Sequence, residues 1–245
     1  MRVYAEYFNK KLKRAYTEKA PTEGSASAPP VLLEMDCNRW IKTTSQRTQI
    51  IYRADASIIL YHMALCRKAR VIESGTGTLG LTYVLSRYFS EGRVDTVECN
   101  AGRFAAAEAD VQRAGLSNVK THFGTVQEYL QRRIDAKESP ADGLVLDVPE
   151  PEGALKAASC AVRPGGVVVC FVPCIEQIQR IMQAVQEIPA MRIDRLLENV
   201  EILHRPATIQ TAPAKVYGTK PDDLNRGHTG YIMLLRLSHE SPACV

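Results

Sequence analysis

The 245-residue chain has no pair of cysteines in C-x-x-C spacing, no apolar run long enough to cross a membrane and no marked excess of charge of either sign. Each absence narrows the field. Seven cysteines are present (Cys37, Cys66, Cys99, Cys160, Cys170, Cys174 and Cys244), but their spacing fits neither a zinc ribbon nor a dithiol redox site. Reduced thiols in a cytosolic or nuclear protein are expected, rather than a disulfide framework. Without an apolar span no transmembrane helix is expected, and the first residues lack the apolar centre of a secretory signal. A formal charge of +4 is too mild to argue for nucleic-acid binding unaided. Aromatic residues are scarce, and the single tryptophan, Trp40, is better explained by packing than by base stacking. There is no internal repeat. What remains is an ordinary globular composition, 45% hydrophobic and 24% charged, in a chain long enough for one large domain with a full core.

Residues 1–19 are basic (Lys10, Lys11, Lys13, Arg14) and read as a tail, an arm for RNA or a partner, or a targeting segment. Residues 20–30, rich in Pro, Ser, Ala and Gly, read as a linker. From 58–66, apolar enough for a buried helix, the pattern becomes an α/β alternation. Strand-like runs are expected at 69–73, 93–98, 118–123, 143–147 and 166–171, and helix-like runs at 78–89, 101–114, 126–133, 152–160 and 175–188. Alternation of this kind predicts a parallel sheet covered on both faces. The last two runs, 191–203 and 230–237, have no helix between them and are expected to pair antiparallel and close the sheet. The segment between them, 204–229, carries Pro206, Pro213 and Pro221 and reads as a long loop.

The chemistry concentrates where strands end. Val71-Ile72-Glu73-Ser74-Gly75-Thr76-Gly77-Thr78-Leu79-Gly80 is a strand, a glycine turn and a helix start. A carboxylate at Glu73 would repel a pyrophosphate at that turn and would suit a cationic ligand, for example the sulfonium and ammonium of S-adenosylmethionine. Glu98, closing the next strand, is placed to accept ribose hydroxyls. Gly124-Thr125 and Asp147-Val148-Pro149-Glu150-Pro151 end two further strands, and in an open α/β sheet these ends converge on one crevice. Asp147, followed by two prolines that hold the chain extended, can accept a hydrogen bond from the amino edge of a base. A nicotinamide-dependent oxidoreductase would rest on Gly75-x-Gly77-x-x-Gly80 alone, with Glu73 against it.

Six segments in order resemble one family: Arg47-Thr48-Gln49-Ile50-Ile51-Tyr52 with Asp55, Glu73-Ser74-Gly75-Thr76-Gly77, Thr96-Val97-Glu98, Leu146-Asp147-Val148-Pro149-Glu150-Pro151, Phe171-Val172-Pro173-Cys174-Ile175-Glu176-Gln177-Ile178-Gln179 and Gly227-His228-Thr229-Gly230-Tyr231. Together they resemble the catalytic subunit of tRNA (adenine-58-N1)-methyltransferase, in its eukaryotic form, over 40–237. The resemblance implies a Rossmann-like class I methyltransferase: a doubly wound, mostly parallel seven-stranded sheet with an antiparallel C-terminal strand pair, over 41–245, after a tail and linker at 1–40. It implies S-adenosylmethionine as cofactor, met by Gln49, Ile50, Glu73, Ser74, Gly75, Thr76, Gly77, Glu98, Thr125 and Asp147. It implies a tRNA substrate met by Arg47, Pro149 and His228, with Asp147 catalytic and no metal. It further implies a heterotetramer with a non-catalytic homologous subunit, or self-association, with no membrane, in the nucleus or cytoplasm, the mitochondrion being the alternative.

Four departures from the family pattern accompany the match. Leu79 stands where a third glycine is usual, Thr125 where an acid contacts the cofactor adenine, and Glu152 where a tryptophan follows the Pro-x-Pro segment; the N-terminal β-rich domain of the family is expected to be shortened to about forty residues that read as tail and linker. They admit an alternative, a methyltransferase fold kept as an inactive RNA-binding or assembly scaffold.

Overall fold

A computed structural model describes residues 35–211, 214–222 and 227–239; the expected tail and linker lie almost wholly outside these. Two short helices lead in, α1 (Cys37–Thr43) and α2 (Arg53–Met63). The alternating part follows: β1 (Arg70–Ser74), α3 (Gly80–Tyr88), β2 (Arg93–Glu98), α4 (Ala101–Ala114), β3 (Val119–Phe123), α5 (Val126–Asp135) and β4 (Ala141–Leu146). A 3-10 turn (Pro151–Ala154), α6 (Leu155–Ala161), β5 (Val162–Val172), α7 (Ile175–Gln186), β6 (Met191–Glu198), β7 (His204–Thr211), β8 (Ala214–Pro221) and β9 (Tyr231–Leu237) complete it. The seven-stranded sheet runs β3-β2-β1-β4-β5-β9-β6. Its first five strands are parallel, and β9 pairs antiparallel with both β5 and β6. This is the doubly wound sheet and closing pair expected.

The strands are apolar on both faces because both faces are covered. Successive residues alternate sides: Ile72, Leu144 and Val168 join one cluster with Leu130, Leu155 and Ile181 of α5, α6 and α7. Val71, Val145 and Val169 join another with Ile59 and Met63 of α2 and Leu85 of α3. Trp40 is 2% exposed and stacks on Tyr83 with ring centroids 5.0 Å apart, so packing is its use. Helix α4 has the predicted limits because Asn100 caps its first turn and Gly115, in the left-handed region, ends it.

Three expectations need correction. Residues 204–229 are not one loop: β7 and β8 form a two-stranded antiparallel sheet in register from His204 opposite Pro221 to Thr211 opposite Ala214. Prolines suggested a loop, but a lone hairpin has only edge strands, where proline is tolerated. The helix expected at 152–160 opens as the 3-10 turn, and β5 starts at Val162, with an irregularity where its pairing partner shifts from Ala141 to Gly143. Cysteine chemistry is mixed: Cys37, Cys66, Cys99, Cys170 and Cys174 are free, whereas Cys160 is disulfide-bonded.

Candidate active site

The strand order reverses between β1 and β4, the place where ligands bind in such sheets. Here the Asp147 amide donates to the Ser74 carbonyl at 2.9 Å. Gly75 has φ +98°, and a Cβ on it would lie 2.1 Å from the Asp147 carbonyl oxygen, so only glycine fits this close approach. Above the switch point opens a cleft of about 670 Å³. As expected, the ends of β1, β2, β3 and β4 meet in it, through Ser74, Gly75, Glu98, Thr125 and Asp147 among others.

Glu98 is held by three donors. Its Oε2 accepts the Gly77 amide at 3.1 Å; its Oε1 accepts the Asn100 amide at 2.9 Å and the Arg103 guanidinium at 2.8 Å. Burial alone would raise its pKa, but Arg103 and the two amides outweigh it and hold the carboxyl below the ordinary range. Asp147 behaves oppositely. Among the described residues no cation sits beside it, and burial pushes its pKa up to about 7. Glu150 also lines the cleft, so three carboxylates face one guanidinium, a balance suited to a cationic ligand.

Of the predicted residues, Gln49, Ser74, Gly75, Gly77, Glu98, Thr125, Asp147 and Pro149 line the cleft. Five do not. Glu73 shares a strand face with Val71, so period-2 alternation turns it under α3, where it is 1% exposed and accepts the Thr82 hydroxyl at 2.6 Å. Burial, opposed by the Thr82 and Thr96 hydroxyls, pushes its pKa up to about 8, so it carries little charge at neutral pH. Thr76 is buried against the Thr96 hydroxyl at 2.7 Å. Ile50 is core, filling the space a Cβ on Gly80 would need. Arg47 turns away to pair with Asp110 of α4 at 2.7 Å. His228 stands behind the wall, its Nε2 2.9 Å from the carbonyl oxygen of the cleft residue Pro173.

Sequence reasoning missed Thr48, Arg103, Phe171, Pro173 and Gln177 as cleft residues. Arg103 had a signal: it lies in the first turn of α4, five residues after Glu98. Gln177 lay in a family segment without a role; its Nε2 donates to the Pro149 carbonyl at 2.9 Å and its Oε1 accepts the Cys174 amide at 3.0 Å. Among the departures, Leu79 does not crowd the cleft. It sits at φ 60° with its side chain wholly buried among Trp40, Tyr83 and Ala107. The Thr125 hydroxyl accepts the Glu128 amide and caps α5, while Glu152 pairs with Arg180 at 2.7 Å. Among the described residues no cluster of three or more His, Cys, Asp or Glu could hold a metal ion, and no helix is long and apolar enough to cross a membrane.

A family model described as "tRNA methyltransferase complex GCD14 subunit" matches residues 31–219. The chain belongs to the GCD14 family. Relatives of this GCD14-family chain include a tRNA (adenine(58)-N(1))-methyltransferase TrmI of Thermus thermophilus, 34% identical over 149 residues, which are 60% of this chain and 56% of that protein. The catalytic subunit TRM61 of the corresponding Candida albicans enzyme is 30% identical over 152 residues, 60% of this chain and 45% of that one. The chain thus spans about half the length of the curated relatives it matches. Two solved structures share the fold. A SAM-dependent O-methyltransferase from Thermotoga maritima gives a TM-score of 0.67 at 24% identity, covering 83% of this chain and 72% of that one. TrmI from Aquifex aeolicus gives 0.61 at 23% identity, covering 83% and 76%. The chain therefore shares its doubly wound fold with these two methyltransferases.

Proposed function

We propose that the chain is an S-adenosylmethionine-dependent methyltransferase that modifies N1 of an adenosine in the T-loop of tRNA. The observation that carries this reading is one cleft with two unlike carboxylates: Glu98, ionised and fixed by three donors, and Asp147, half-buried and, among the described residues, without a cationic partner, in a chain of the GCD14 family. The donor set fits the cofactor. Oε2 of Glu98 carries one donor only and has room for a ribose hydroxyl, the glycine turn admits close backbone approach, and the acidic lining suits a sulfonium and an ammonium.

S-adenosylmethionine, when bound, supplies an electrophilic methyl group on sulfur. The chain's residues have the tasks of orienting and of excluding water. Glu98 holds the ribose end. Asp147, as carboxylate, accepts a hydrogen bond from the adenine N6 amino group, which enriches N1 in electrons and stabilises the cationic product. The N1 lone pair is free in the neutral base, so no proton need be removed there first. The target base has to leave its stack to reach the cleft. The inactive-scaffold alternative loses support where Leu79 packs into the core and Glu152 lies outside the cleft lining. On this reading the chain assembles with a homologous subunit or with its own copies, in the nucleus or cytoplasm or, alternatively, the mitochondrion.

The test is transfer of labelled methyl from S-adenosylmethionine to tRNA by the full chain, alone and with a homologous subunit, followed by nucleoside analysis. 1-Methyladenosine is expected, with kcat roughly 100-fold lower for Asp147→Asn. No transfer by a folded chain that binds the cofactor would overturn the substrate assignment.

A further inference from the structure

His228 is flanked by two groups that can only accept. Its Nδ1 lies 2.6 Å from Oε1 of Glu198 at the end of β6, and its Nε2 lies 2.9 Å from the carbonyl oxygen of Pro173, after β5. A neutral imidazole has one N–H and would aim a lone pair at one of these oxygens; only the imidazolium donates to both. The other groups around it agree. Asp55 on α2 adds negative potential, and the Tyr231 ring of β9 lies 4.7 Å away by centroid. The Pro173 carbonyl and the Glu198 carboxylate both favour the charged ring and hold its pKa above 6.5.

The clip does not end at Pro173. The next residue, Cys174, gives its amide to Gln177, and Gln177 gives its own side-chain amide to the Pro149 carbonyl. A continuous polar path therefore joins Glu198, His228, the Pro173-Cys174 turn, Gln177 and the segment that follows Asp147. At the far end, Asn199 donates to Asp55 at 3.1 Å, which anchors the end of β6 to α2.

We propose that His228 is a positioning residue that works as a cation: it pins the Pro173 wall of the cleft to β6 and, through Gln177, fixes the course of the chain carrying Asp147 and Pro149. Both ring nitrogens are spent on protein acceptors, so the direct substrate contact expected from sequence is replaced by an indirect one. The importance of this for methyl transfer rests on the function proposed above; the clip itself does not.

The sign is that of a raised base. The clip is complete below the histidine's ordinary pKa and is lost as pH rises through its raised value. The experiment compares the full chain with His228→Gln, which offers donors on one nitrogen only. Ring nitrogen shifts of His228 by NMR are expected to show both nitrogens protonated at about pH 7. Amide exchange over 147–150 and 173–177 is expected to be roughly fivefold to tenfold faster in the variant at about pH 6, the size of one lost charge-assisted bond. The ratio should close toward one at about pH 9.5, where the natural chain has lost the same proton. Tyr231 and Cys174 are common to both proteins, so their contributions cancel. A neutral ring at neutral pH, or an exchange ratio that does not change with pH, overturns the proposal. Both readouts work on a chain that transfers no methyl group, so failure of the functional reading is told apart. If transfer is observed, the kcat deficit of His228→Gln should likewise shrink toward high pH, with cofactor affinity unchanged.

Discussion

Replacing Glu73 by glutamine removes an ionisable group from beneath the glycine turn while keeping an oxygen to accept the Thr82 hydroxyl. Burial pushes the Glu73 pKa from an ordinary 4.5 to about 8. A raised acid weakens the folded state as pH climbs: the cost begins near the unfolded value, grows until the folded value and then levels off. From these two values the cost is about 1 kcal/mol at pH 5, about 3 kcal/mol at pH 7 and about 5 kcal/mol at pH 9. Glutamine carries no such cost. Glu73→Gln should therefore melt close to the natural chain at pH 5 and well above it at pH 9. The gap widens by about 4 kcal/mol, or roughly 10 °C for a domain of this size. Thermal unfolding of both proteins across that range is the assay; titrating groups other than Asp147, whose charge adds to the Glu73 shift, cancel in the difference. Parallel melting curves, with a constant offset from pH 5 to pH 9, would refute the placement of an ionisable carboxyl in that core.

Two further outcomes follow from the cleft. Gly75→Ala puts a Cβ 2.1 Å from the Asp147 carbonyl oxygen at φ +98°, and a loss of about 3 kcal/mol or more is expected in chemical denaturation. Asp147, pushed up to about 7, becomes the stronger, charged acceptor for an amino group only once it ionises, so kcat/KM should rise with pH through that value. The rise should be absent from the residual activity of Asp147→Asn, and an unchanged profile in that variant would assign the ionisation elsewhere.

How far the sequence could be read is clearest at particular residues. Strand β2 and helix α4 were legible to the residue, since Asn100 and Gly115 mark a cap and a stop by chemistry that acts within one turn. The crevice was legible as well, because the ends of parallel strands gather whatever their partners are. What was missed is which face the last residues of a strand take. Glu73 and Ser74 are neighbours, yet one is under α3 and the other faces the cleft. The same alternation that separates Val71 from Ile72 would have assigned them. The turn of Arg47 away from the cleft was hidden for a different reason: its partner Asp110 lies 63 residues away, on a helix face that no local pattern connects to it. The β7–β8 hairpin was hidden by prolines that a central strand would exclude and a two-stranded ribbon tolerates.

The central claim is that this cleft takes S-adenosylmethionine with Glu98 as the anchor of its ribose. Calorimetric titration of the full chain with S-adenosylmethionine, beside Glu98→Ala, tests it most directly. The account predicts binding on the order of micromolar by the natural chain, and at least roughly tenfold weaker binding by the variant at unchanged fold. No heat of binding from a folded natural chain, or equal affinity in the two proteins, would contradict it.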